Sequence, residues 1–143
     1  MGQVFDLPIP ELMPFPSDPF NLARFVDAQN PIYAQVCAEL RSGLKTGHWM
    51  WFIFPQLRGL GHSPMAIKYG ISSQQEAEAY LEHPVLGPRL EQCTRLVNRV
   101  EARSIDEIFG GIDTLKFRSC MTLFAGVASE SRIYKDALDK YFA

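Results

Sequence analysis

The chain places both of its tryptophans in one stretch, His48–Pro55, which reads HWMWFIFP. Groups that can orient or titrate a ligand bracket it. The His48 imidazole is of the side-chain type most used as a general acid or base. Beyond Pro55 come the Gln56 amide and the Arg58 guanidinium, then His62 and Ser63 in a loop punctuated by Gly59 and Gly61. Indole faces make good walls for a flat ligand, and polar groups at their rim would fix its orientation. Packing is the competing reading. Burying two tryptophans and two phenylalanines contributes about 8–12 kcal/mol of gross hydrophobic stabilisation. That figure rivals the net stability of a whole domain, so core formation alone accounts for the composition of the stretch. A packed, hydrogen-bonded histidine is the simpler reading of His48, because nothing in the sequence supplies a partner for a proton carrier.

A second constellation lies at Asp113–Thr122, DTLKFRSCMT. On a helix, Lys116 neighbours Ser119 and Cys120 on one side and Asp113 on the other. A lysine beside a hydroxyl or thiol can activate a nucleophile, provided its own pKa is depressed. The simpler arrangement has Asp113 capping the helix and pairing with Lys116. If the two stretches meet in space, His48, Trp49, Trp51, Gln56, Arg58 and Lys116 form a ligand-binding set. The catalytic residues, if any, stay unassigned. Gly59-Leu60-Gly61 lacks the third glycine and the downstream acid of a dinucleotide fingerprint. His62 and His83 have no ligand spacing to a carboxylate or thiol, so the sequence calls for no metal and no cofactor.

These residues must be carried by helices. Ser17-Asp18-Pro19 supplies a cap and a first-turn proline for a helix bearing Leu22, Phe25, Val26 and Gln29. Tyr33, Val36, Cys37 and Leu40 recur with helical spacing up to Gly43. Ser63-Pro64 opens a short helix, and Ser73–Glu76 reads as a capping box. After His83-Pro84, with a reset at Gly87-Pro88, the stripe Leu86, Leu90, Cys93, Val97 and Val100 follows. Ser104–Glu107 is a second capping box, and Gly110-Gly111 stops its helix. Phe117, Cys120, Met121 and Phe124 form the inner face of the next helix, and a final one from about Ser131 carries Tyr134, Ala137 and Leu138. HWMWFIFP has no polar face at any period, which predicts a buried helical turn or irregular segment, with Phe54 leaving helical geometry before Pro55. No alternating strand is visible. The expectation is an all-α fold, one irregular bundle of about seven short helices over residues 18–143, preceded by a proline-rich arm over residues 1–17.

Composition narrows the function classes. At 143 residues, with 47% apolar and 21% charged, the chain is ordinary globular material for one domain. A net charge of −2 gives no footprint for nucleic acid or an anionic membrane. No apolar run approaches the ~20 residues of a membrane span, and the N-terminus lacks a secretory pattern. Cys37, Cys93 and Cys120 are widely spaced and fall on apolar faces, as buried core residues of a reduced, cytoplasmic protein would.

The segments HWMWFIFPQLRGLGHSPMAIKYGI, EAEAYLEHPVLGPRLEQC and IDTLKFRSCMTLF, in that order, closely resemble a bacterial family known as domain of unknown function 1810. The likeness runs from about Asp18 to Phe142. It implies a mostly α-helical fold and brings no activity, cofactor or catalytic residue. Members of that family often carry Ser-Ser where this chain has Ser119-Cys120, which argues against Cys120 as a required nucleophile. Two functional readings stand side by side. One is a small-molecule or nucleotide-type pocket, enzymatic or not, lined by the six residues above. The other is a non-catalytic helical interaction module or homo-oligomer, engaging its partner through the N-terminal arm.

Overall fold

Asp18 turns the chain into its first helix. In the computed structural model, which describes residues 17–143, its carboxylate accepts the Leu22 and Ala23 N–H groups at 2.7 and 3.0 Å. This caps α1 (Ala23–Gln29) through a side chain five residues upstream. The arm expected over residues 1–17 lies, except for Ser17, outside the described residues. α2 (Tyr33–Ser42) ends at Gly43 with φ +76°, the left-handed conformation glycine adopts without steric cost. α3 (Met50–Ile53) is a single turn, and Phe54 departs at φ −122° and ψ 72° because Pro55 follows. α4 (Pro64–Lys68) starts at Ser63, whose hydroxyl accepts the Ala66 N–H at 3.1 Å.

Two expected caps are rearranged. Ser73 does cap α5 (Gln74–Glu82), accepting the Glu76 N–H at 3.1 Å. The reciprocal half of the box is missing, because the Glu76 carboxylate turns inward to Ser72 and to Arg24 at 2.9 Å. α6 (Leu86–Asn98) runs straight through Gly87-Pro88 rather than resetting there. Its first turn is capped by His83 Nδ1, which accepts the Val85 and Leu86 N–H groups at 3.1 and 3.2 Å. A Cβ on Gly87 would sit 2.1 Å from the Leu81 carbonyl oxygen, so only glycine lets α5 and α6 approach this closely. α7 (Ile105–Phe109) carries the complete Ser104–Glu107 box. α8 (Gly111–Val127) and α9 (Ile133–Phe142) finish the chain.

Nine helices are present among the described residues, against about seven expected, and one-turn pieces such as α3 make the difference. The fold is all-α. A single parallel bridge, Leu57 to Ile71, is the extent of β structure among the described residues. α8 packs on α9, α5, α7 and α3, so the helix bearing Lys116 lies against the double-tryptophan segment. Phe54 stands edge-on to Phe117 at 5.0 Å and to Phe109 at 5.9 Å, joining α3, α7 and α8 through aromatic contacts. Gln29, fully buried, donates to the Phe52 carbonyl at 2.7 Å and to the Tyr80 hydroxyl at 3.2 Å, holding α3 against α1 and α5. All three cysteines are buried and free. No helix of the described residues is long and apolar enough to cross a membrane.

Candidate functional site

The two tryptophans, two residues apart, differ in exposure. Trp49 is 2% exposed and its indole N–H donates to Glu39 Oε1 at 2.9 Å. The same carboxylate accepts the Thr46 N–H at 2.8 Å, the Gly47 N–H at 2.9 Å and the Gln35 amide at 2.8 Å. Burial alone would raise the Glu39 pKa, but the bonds from Gly47, Gln35, Thr46 and Trp49 outweigh it and hold the group at about 2. Gly47 must be small, since a Cβ there would meet the Trp49 ring at 2.8 Å. Trp49 thus closes the α2–α3 connection and presents no face to a ligand.

Trp51 is half-buried and forms the shared wall of two clefts. Lys116 reaches over it from α8, its Nζ 4.7 Å from the ring centroid. On one side lies a tight notch of about 10 Å³, room for about one water molecule, walled by Trp51, Phe54, Tyr69 and Ala66 with Gln56 and Lys116 at its rim. The Gln56 side-chain amide makes no hydrogen bond among the described residues, although a peptide-like amide has donors and an acceptor to satisfy. On the other side is a more open cleft of about 380 Å³, lined by Lys45, His48, Met50, Trp51, Phe109 and the first residues of α8. His48 is exposed at its mouth.

The electrostatics of the open cleft centre on Asp113. Lys45 Nζ lies 2.7 Å from one carboxylate oxygen and Lys116 Nζ 3.7 Å from the other. Lys45 is held further by the Gly47 carbonyl at 2.6 Å, whereas Lys116 is tethered only loosely. Asp113 was expected to cap α8. It sits instead inside the first turn, while Gly110, at φ +84°, occupies the cap position and no side chain caps the helix start. Sequence reasoning missed Lys45, which follows Gly43 in a loop and belongs to no motif. The Gly110-Gly111 pair was a usable signal, since two glycines opening a long helix leave its first N–H groups open to solvent or ligand.

The six candidates do not form one cluster. His48, Trp51, Gln56 and Lys116 surround one indole, Trp49 lies behind it in the core, and Arg58 lines a different cleft with Asn21, Arg24, Ile67 and Lys68. The Arg58 guanidinium bonds weakly to the Gly70 carbonyl at 3.4 Å. The Lys116–Cys120 pairing is not formed. Burial pushes the fully enclosed Cys120 thiol well above its usual pKa, and Lys116 turns to Asp113 and Trp51 instead. Among the described residues, no group of three histidine, cysteine or acidic side chains converges as metal ligands would.

No curated protein matches the chain. It is similar in sequence and structure to the conserved hypothetical protein Rv1873 from Mycobacterium tuberculosis, known from a crystal structure, with 60% identity and a TM-score of 0.86 over 87% of this chain and 89% of that one. Residues 19–143 match the family described as "Protein of unknown function (DUF1810)", and the chain belongs to that family.

Proposed function

We propose that the open cleft beside Trp51 binds a small molecule of nucleotide type, a flat ring joined to an anionic group. The observation that carries this reading is the placement of Trp51. It is half-buried between two adjoining clefts, with a cation over its face and an unbonded amide and an exposed imidazole on either side. A ring laid on an indole gains about 1–3 kcal/mol. Lys116, held to Asp113 at only 3.7 Å, is free to exchange that partner for a ligand oxyanion. His48 would meet the anionic end at the cleft mouth, while Gln56 stands behind the indole at the notch. Trp49 and Arg58 have no part in this arrangement. The three buried free cysteines support a reducing, cytoplasmic setting.

A thermal-shift screen with nucleotides, sugar phosphates and free bases tests the proposal. A ligand binding only the folded state at a hundred times its dissociation constant adds about 2.7 kcal/mol. The stabilisation should vanish in Trp51→Leu and fall at least ~10-fold in affinity in Lys116→Ala, where one cation–π and ion-pair contact is lost. Arg58→Ala should leave it intact. No hit across the panel, or a hit indifferent to Trp51, would overturn the proposal and leave the interaction-module reading.

A further inference from the structure

We propose that the acidic cleft between α5, α6 and the α8–α9 turn binds a small aliphatic polyamine. This cleft, about 370 Å³, is distinct from those at Trp51 and Arg58, and its lining includes Glu78, Glu82, Glu91 and Glu130 but no basic side chain. Glu91 is paired with Arg95 at 2.9 Å. Glu78, Glu82 and Glu130 have no lysine, arginine or histidine nitrogen within 4.0 Å among the described residues. Glu78 and Glu82 lie one turn apart on α5, a like-charge spacing that destabilises a helix in the absence of a cation. Two helices also end at this cleft. α5 stops at Glu82 and α8 at Val127, and neither has a basic residue in its last turn to meet its negative C-terminal pole.

Tyr134 points to a ligand independently of the acids. It lines the cleft at 2% exposed, yet its hydroxyl makes no hydrogen bond among the described residues. Burial, then Cys120 and the Glu91 carboxylate, push its pKa up, so the phenol keeps its proton. A buried phenol ordinarily has a partner, and its oxygen here can accept an ammonium N–H. The spacing of the acids selects the class of cation. No three of them converge as ligands of one metal ion among the described residues, so the charge is spread along the cleft. Leu81, Pro88 and Val127 set apolar surface between them. Ammonium groups joined by methylene chains match that alternation, each nitrogen beside a carboxylate and each chain on an apolar side chain. Arg95 and Arg132 of the adjoining cleft have acids of their own, Glu91 for the first and Asp136 and Asp139 for the second.

Isothermal titration calorimetry of spermidine into the full-length protein, at fixed ionic strength, tests this. Saturable binding at one site is expected. Glu82→Gln/Glu130→Gln should weaken it at least ~10-fold. Tyr134→Phe, which keeps the ring in place, should weaken it about 5-fold. Asp27→Asn/Glu101→Gln removes two exposed acids outside the cleft and should leave the affinity unchanged. Magnesium chloride at matched ionic strength should not compete. No saturable binding by the parent protein, or binding indifferent to both cleft variants, would overturn the proposal. So would equal weakening in Asp27→Asn/Glu101→Gln, or displacement by magnesium, because bulk negative charge rather than the cleft would then hold the polyamine.

Discussion

At the residue scale, Glu39 shows how much local order one buried group can impose. Its carboxylate gathers two backbone N–H groups, an amide and an indole N–H from three points of the chain. Glu39→Gln would replace an acceptor-only carboxylate by an amide and cost about 2 kcal/mol, read by chemical denaturation. The pH dependence has a definite sign. A carboxyl held at about 2 when folded, below its ordinary value of 4.5, contributes stability that is complete above the unfolded value. That contribution is lost as pH falls from there toward about 2, and the loss should be missing from Glu39→Gln. None of this was legible in the sequence. Glu39 sits in a helix like any other acid, and three of its partners lie 7 to 10 residues away, across the turn at Gly43. Both tryptophans were candidates, but that the ring of Trp51 rather than that of Trp49 faces outward depends on which side of a single turn meets α8.

At the scale of elements, local punctuation was readable and tertiary capture was not. Ser63, Ser104 and the Gly43 stop act as their residue types dictate. Ser73–Glu76 has the same signature as Ser104–Glu107, yet only the second closes, because Arg24 from α1 pulls the Glu76 carboxylate inward. The arginine is 52 residues away, beyond any local pattern. With both side chains nearly enclosed, at 9% and 2% exposed, Glu76→Ala strands a buried guanidinium and should cost about 3–5 kcal/mol by urea unfolding. Removing Ser104 by Ser104→Ala should cost only about 1 kcal/mol. Gly87→Ala sets a methyl against the Leu81 carbonyl and should destabilise by about 3 kcal/mol, at the upper end of overpacking costs. If Gly87→Ala melts like the parent protein, the close α5–α6 approach is wrong.

At the scale of the molecule, the all-α class followed from cap spacing and the lack of alternating runs, and the family relationship agrees with it. The candidate site was half legible. The residue types around Trp51 were identified, but the convergence of Lys45, Asp113 and Lys116 needs α3, α7 and α8 to meet, which no single-segment pattern encodes. Arg58 illustrates the converse, since nearness in sequence to the tryptophans did not bring it to their cleft. The central claim is that one indole is a ligand wall and the other a structural pin. It is tested most directly by following the two indole N–H resonances while nucleotides and sugar phosphates are titrated into the protein. The Trp51 signal should move with saturation while the Trp49 signal, bonded to Glu39, stays in place. A Trp51 signal that no compound shifts, or a Trp49 signal that responds first, would contradict the account.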